Sequence, residues 1–192
     1  MSGAGEITAA RAKWDERHRR GDHTASGPSS FLTAMAARLP RQGAALDVAG
    51  GAGRHALWLA ERGLDVTLVD VSPVGLALAE RRASERGLAL TTVARDLEEE
   101  PLPAGPWDLI VVVNYLERAL FPRFAEILVP GGLLLLAHPT VRNLERHARP
   151  SRRFLLERGE AAELLAGLTI LEGGEAWTEG GRHEARYLAR RP

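Results

Sequence analysis

The chain predicts a doubly wound α/β fold, a parallel sheet with helices on both faces, and three observations carry that prediction. Ala45 to Ser72 reads ALDVAGGAGRHALWLAERGLDVTLVDVS, which is a strand, a glycine turn, a short helix and a second strand closing on an acid. Apolar strand-length runs then alternate with helical patterns as far as Ala137, the mark of crossover units in a parallel sheet. In the last third the rhythm changes. Thr169 to Trp177 and His183 to Ala189 are extended segments joined around Thr178-Glu179-Gly180-Gly181, which reads as a β-hairpin.

Taken in order, a helix is predicted near Ala9 to Arg19, then a loop over His23 to Ser29, then a helix from Ser30 to Leu39 that Pro40 helps to end. The first strand is Ala45 to Ala49, and its helix, Arg54 to Arg62, stops at Gly63. Val66 to Val69 forms the second strand. Ser72-Pro73 supplies an N-cap followed by proline at the first helical position, and that helix runs to Arg86 before Gly87. Leu88 to Ala94, Leu109 to Val113 and Leu133 to Ala137 are the third, fourth and fifth strands, and a helix near Glu160 to Ala166 precedes the hairpin.

Composition bounds the function. With 192 residues and 45% hydrophobic content the chain can bury one sizeable core. The formal net charge is zero, so nothing in the totals points to a nucleic-acid partner or an anionic membrane surface. No run of about 18 apolar residues exists and Met1 to Arg20 is too polar for a secretion signal, so a soluble cytoplasmic protein is expected. The absence of cysteine excludes disulfides, thiolate catalysis and cysteine-based zinc sites, and no metal is expected. Lys13 is the only lysine, and Glu98-Glu99-Glu100 reads as a solvated loop.

The glycine turn carries the chemistry. Gly50, Gly51 and Gly53 keep side chains out of a strand-to-helix turn, so that backbone N–H groups can approach a ligand. Asp70 closes the next strand, where a carboxylate can accept both hydroxyls of a ribose, and ligands of such sheets sit at the carboxyl ends of the strands. Gly51-Ala52-Gly53-Arg54-His55-Ala56 formally satisfies the dinucleotide fingerprint. Asp47 argues the other way. A carboxylate at the end of the first strand repels a diphosphate but suits a ligand with an ammonium group and a sulfonium, as in S-adenosylmethionine.

Leu46-Asp47-Val48-Ala49-Gly50-Gly51-Ala52-Gly53 resembles the first motif of class I S-adenosylmethionine-dependent methyltransferases, with Ala49 where the family has its first glycine. The likeness continues through Asp70, Asp96-Leu97, Trp107-Asp108-Leu109-Ile110-Val111 and Leu128-Val129-Pro130-Gly131-Gly132-Leu133-Leu134. Trp14-Asp15-Glu16-Arg17, Gly21-Asp22, Pro28-Ser29, Gly53 to Ala60 and Asn114 to Pro122 are similar to the tellurite-resistance type of methyltransferase. The resemblance implies a three-layer Rossmann-like fold whose mostly parallel sheet ends in a reversed C-terminal strand. It further implies a single domain over 1–192, with an N-terminal helical cover (1–40), a donor-binding core (45–137), a candidate lid (138–158) and a terminal helix and hairpin (159–192). A methyltransferase acting on a small molecule follows, with a chalcogen oxyanion (tellurite or selenite) or a thiol as acceptor. The alternatives are an NAD-dependent oxidoreductase and a non-catalytic S-adenosylmethionine-binding protein.

Site roles follow from that layout. Asp70 with the adjacent Val71 is expected to hold the ribose, Asp96 and the Leu97 backbone the adenine edge, Gly51 and Gly53 the methionine part, and Asp47 and Asn114 its ammonium group. On the acceptor side, Arg118 follows the fourth strand and is expected to bind an anion, and His138 follows the fifth, as a general base or as a strand-end residue bonded to backbone. Arg142, Arg146, Arg149, Arg152 and Arg153 form either a positive lid or a solvated surface. Trp14 either closes the pocket or packs its helix, and Tyr115 either walls the pocket or joins the core. His55 is expected to pack or cap near the turn, and Trp58 to lie in the core.

Overall fold

A computed structural model of the protein describes residues 3–21 and 27–192, so Asp22 and the first residues of the expected loop, 23–26, lie outside the described residues. A seven-stranded sheet in the order β3-β2-β1-β4-β5-β7-β6 forms the middle layer. Its strands are β1 (Ala44–Val48), β2 (Asp65–Asp70), β3 (Thr91–Ala94), β4 (Trp107–Val113), β5 (Leu128–Pro139), β6 (Thr169–Trp177) and β7 (His183–Arg190). β1 to β5 pair in parallel, whereas β7 runs antiparallel to both β5 and β6, which is the reversed strand expected.

The helices are α1 (Gly3–Arg19), α2 (Ser30–Ala34), α3 (Arg54–Glu61), α4 (Pro73–Glu85), α5 (Phe121–Ile127) and α6 (Glu160–Leu164). Alternation along the strands divides the core in two. Leu46, Val48, Ile110, Val112, Leu134 and Leu136 face one side, with Phe121 and Phe124 of α5 packed edge-to-face at 5.4 Å. Ala45, Val66, Leu68, Leu109, Val111 and Leu135 face the other, against Leu59 of α3, Leu76 and Ala79 of α4 and Leu32 of α2. Among the described residues no helix is long and apolar enough to cross a membrane.

Several boundaries differ from expectation, α1 starting at Gly3 rather than near Ala9 and β4 at Trp107 rather than Leu109. The second predicted helix is α only to Ala34 and continues as a 3₁₀ turn, Ala36–Arg38. β3 begins at Thr91 rather than Leu88, because its ladder with β2 starts at Thr67↔Thr91 and the strand lies at the sheet edge. β5 begins at Leu128, running through a register shift at Pro130-Gly131-Gly132 where a β-carbon on Gly132 would lie 2.9 Å from the Val129 carbonyl oxygen. The Ser72 cap forms as expected, its hydroxyl accepting from Gly75 N at 3.1 Å with Pro73 opening α4.

Candidate functional site

From β1 the chain moves through β2 to β3 on one side and through β4 to β5 on the other, so β1 and β4 flank a topological switch point. Ligand crevices of doubly wound sheets open there, at the carboxyl ends of the strands. A cavity of about 300 Å³ lies at this place, lined by the ends of β1 (Ala49, Gly50, Gly51), β2 (Asp70, Val71), β3 (Arg95, Asp96, Leu97) and β4 (Val113, Asn114, Tyr115), with Trp14 and His18 of α1 over it. That volume is at the small end of small-molecule sites.

The floor is the glycine turn. Gly51 has φ +57°, and a β-carbon there would come within 3.1 Å of the His18 ring, so the cradle fits bare backbone. Ala49 takes a left-handed conformation as well, at φ 51°. That costs an alanine roughly 1–2 kcal/mol, partly offset by the smaller unfolded-chain entropy it carries compared with glycine. Ala49→Gly is therefore expected to raise unfolding stability by roughly 0.5–1 kcal/mol in a urea titration of the ligand-free protein. Unchanged or lower stability would mean that the methyl group packs well enough to cancel the strain.

Two residues expected at the ligand, Asp47 and Gly53, lie off the cavity wall and make scaffold contacts. Asp47 is fully buried and does not line the cavity; its Oδ2 accepts from Ala56 N at 3.1 Å, near the start of α3. The N-cap of α3 is Gly53, which has no side chain to cap with, so the strand carboxylate supplies the acceptor from below. The other Asp47 oxygen, Oδ1, has no hydrogen-bond partner and lies 3.8 Å from His55 Nδ1. Gly53 is likewise absent from the cavity wall, and a β-carbon on it would lie 2.7 Å from Ala79 Cβ, so its role is the close approach of α3 to α4.

One end of the cavity is acidic. Asp70 accepts from Gly51 N and from Ser72 N, each at 2.8 Å, through different oxygens, which leaves each oxygen a free lone pair for a donor in the cavity. Burial pushes the Asp70 carboxyl above its ordinary value, against those two backbone donors and the nearby His18. Asp96 accepts from Glu98 N at 3.1 Å and, with Leu97, is buried at the wall. Tyr115 borders the same end. Burial first, then Glu98, Glu117, Asp96 and Asp70, holds its phenol well above the ordinary tyrosine range, so it stays neutral.

His18 is a cavity residue that the sequence pattern did not single out, as are Arg54 and Arg182. It is buried, its Nδ1 has no hydrogen-bond partner, and the opposite ring edge faces Gly51 and Gly75. One turn before it, Asp15 accepts from the Ser72 hydroxyl at 2.5 Å and from Val74 N at 3.3 Å. α1 is thus fastened to the start of α4, and Trp14, 6.3 Å from the His18 ring, closes the cavity from above. The readable signal was the spacing Trp14, Asp15, His18, which places tryptophan and histidine four apart on one helix face.

The other end is basic. Arg54 opens α3 half-buried at the wall, and Arg182, in the β6–β7 turn, donates from Nη2 to Asn114 Oδ1 at 3.0 Å. Asn114 itself stands at φ 60°, a conformation asparagine tolerates better than most residues. His55 also borders the cavity, with Nε2 unpartnered.

Of the residues expected on the acceptor side, Trp14 and Tyr115 reach this cavity, whereas Arg118, His138, Arg149 and Arg152 do not line it. Arg118 is in a two-pronged ion pair with Glu160, Nη2 to Oε2 at 3.0 Å, and also donates to Leu155 O at 3.2 Å. His138 is buried under the segment that follows β5, with Nε2 3.0 Å from Phe154 O and Nδ1 unpartnered; burial first, aided by Arg182 and Arg118, brings its pKa down to about 4. Arg152 pairs with Glu157 at 2.7 Å and Arg149 is exposed. None of 138–158 lines the cavity, so the expected lid is folded elsewhere. It is tied to the hairpin by Thr140 Oγ1 to His183 Nδ1 at 2.7 Å, by Asn143 bonds to both the N–H and the carbonyl of His183, and by Arg146 stacked 3.8 Å from the Trp177 ring centre.

Residues 45–132 match the family model of the methyltransferase domain. Over 107 residues the chain is 38% identical to ribosomal protein L11 methyltransferase of Thermus thermophilus, an alignment covering 55% of this chain and 42% of that protein. The chain spans less than half the length of the curated relatives it matches at 38% and 36% identity. Among solved structures, magnesium protoporphyrin IX methyltransferase from Synechocystis with bound SAH (S-adenosylhomocysteine) superposes with a TM-score of 0.77, at 17% identity over 97% of this chain and 100% of that one. TehB from Haemophilus influenzae does so with a TM-score of 0.74, at 20% identity over 93% of this chain and 67% of that one. Residues 45–132 thus match a methyltransferase domain, set in a sheet whose fold is like that of TehB and of the magnesium protoporphyrin IX methyltransferase.

Proposed function

We propose that the protein transfers a methyl group from S-adenosylmethionine to a small molecule, with a chalcogen oxyanion such as tellurite or selenite, or a thiol, as acceptor. The observation that carries the donor side is the cavity in which Gly51, Asp70, Asp96 and Asn114 meet. The residues fit the donor: the turn leaves little room for a β-carbon at Gly51, which would stand 3.1 Å from the His18 ring, and both Asp70 oxygens keep acceptor capacity toward the cavity. Asp70 would hold the ribose hydroxyls, Asp96 and Leu97 the adenine edge, and Asn114 the amino-acid end. When bound, S-adenosylmethionine supplies an electrophilic methyl group on a sulfonium.

The chain's own work is then placement and exclusion of water. Trp14, His18 and Tyr115 wall the cavity, and a held nucleophile in line with the methyl group gains rate from orientation alone. A chalcogen oxyanion or a thiolate attacks through a lone pair, so no proton has to be removed. The narrower likeness around Trp14 and Asn114 to Pro122 supports this acceptor class. The test is methyl transfer from labelled donor to a panel of tellurite, selenite, thiols, amines and carboxylates. Transfer to the chalcogen oxyanions or thiols is expected, and exclusive transfer to amines or carboxylates would overturn the acceptor class.

A further inference from the structure

We infer that the loop 142–154, which follows β5, is a docking surface for an anionic lipid bilayer. The inference stands apart from the choice of methyl acceptor. Leu156 N donates to Pro139 O at 3.1 Å and Val141 N to Leu156 O at 2.8 Å, so the loop leaves and rejoins the body of the protein at one point. Asn143 fixes that base to the start of β7 through both backbone groups of His183. Compact surface loops closed in this way are frequent carriers of binding function. β5 runs parallel to β4, so the loop stands on the carboxyl edge of the sheet, where the cavity opens.

The loop is both apolar and cationic. Leu144 and Phe154 are two of the three large apolar side chains exposed among the described residues, at 39% and 43%. Five arginines accompany them against one carboxylate, a local excess that the zero net charge of the chain conceals. Glu145 holds Arg142, and Arg152 reaches out of the loop to Glu157. Arg146, Arg149 and Arg153 have no carboxylate partner among the described residues. A bilayer interface answers both features at once, taking apolar side chains into the acyl boundary while guanidinium groups stay among the headgroup phosphates. Single-stranded nucleic acid would use aromatic faces for base stacking. Here Arg153 lies over the Phe154 ring at 4.5 Å and Arg146 over the Trp177 ring at 3.8 Å. An acidic polypeptide would answer the arginines but not Leu144 and Phe154.

Vesicle flotation of the whole chain tests this, comparing phosphatidylcholine alone with an equal mixture of phosphatidylcholine and phosphatidylglycerol. Binding to the mixed vesicles is expected, weakening as salt rises, with none to phosphatidylcholine. Arg149→Gln and Arg153→Gln should each weaken it about fivefold. Phe154→Ser should weaken it without changing the salt dependence, because it removes apolar contact rather than charge. Arg123→Gln, exposed on α5, should bind as the unmodified protein does. These side chains are all exposed, so the unfolding midpoint should hold and lost binding is not lost fold. No binding to the mixed vesicles at low salt overturns the inference, as does unchanged binding when Arg149 and Arg153 are both replaced, or an equal loss in Arg123→Gln. Binding to RNA or polyglutamate that matches binding to the mixed vesicles and survives Phe154→Ser overturns it in favour of a soluble polyanion.

Discussion

Asp70→Ala is expected to weaken S-adenosylmethionine and its demethylated product by roughly 3–6 kcal/mol, about 1.5–3 kcal/mol for each of two charged hydrogen bonds. That corresponds to an affinity loss of roughly 10²- to 10⁴-fold. The carboxylate does two jobs, which sets the control. Its oxygens also hold Gly51 N and Ser72 N, so the variant loses part of the turn as well as the ribose contact. Calorimetric titration should be read beside the unfolding midpoint, so that weak binding by a folded variant is distinguished from a shortage of folded protein. Asp70→Asn keeps one acceptor oxygen and should fall between the two. Unchanged donor affinity in a folded Asp70→Ala variant would mean that the ribose is held elsewhere.

The same residue sets a pH dependence with a definite sign. Burial raises the free carboxyl, whereas two hydroxyls donating to it would favour the charged form and lower it in the complex. Binding then releases protons in the interval between the two values, and donor affinity falls as pH drops through the raised value of the free protein. The opposite holds for folding alone, since a carboxyl raised by burial favours the native state at low pH and loses that contribution as pH rises through its native value.

The fold was legible because its signals are local and repeated. Strand alternation, the Ser72-Pro73 helix start and the hairpin around Gly180-Gly181 each depend on a few neighbouring residues. Residues at the ends of β2, β3 and β4 were legible for the same reason, since ligands meet a parallel sheet at those ends; Asp70, Asp96, Asn114 and Tyr115 all reached the cavity. Asp47 was misplaced because sequence shows that it adjoins the glycines but not that α3, capped by a bare glycine, needs its oxygen. Arg118 was misplaced because its partner, Glu160, is 42 residues away and competes for the guanidinium. Arg182 could not be found from spacing. It reaches Asn114 only because β7 runs antiparallel beside β5, pairing Glu184 with Pro139 and carrying the preceding turn to the ligand edge of the sheet.

His138 yields the second large effect, in stability rather than in catalysis. A buried imidazole with a native pKa of about 4 and an unfolded value of about 6.5 binds its proton more readily in the unfolded chain. Its contribution to stability is fully present above about pH 6.5, declines as pH falls and is lost once pH passes below the native value near 4. The size is about 3 kcal/mol, from roughly 1.4 kcal/mol per pKa unit. Urea unfolding between pH 4 and 7 should therefore show a slope in the unmodified protein that His138→Gln flattens by about that amount. Glutamine can still donate to the Phe154 carbonyl that His138 Nε2 now meets, so the variant tests the proton rather than the contact. Catalysis should behave differently. An imidazole buried beneath 152–156 and off the cavity wall is not a near-neutral base, so the pH profile of methyl transfer between pH 6 and 8 should keep its shape in His138→Gln. Titration of His138 near pH 6.5 by NMR, together with loss of a near-neutral limb from the rate profile in the variant, would restore it to the role of general base.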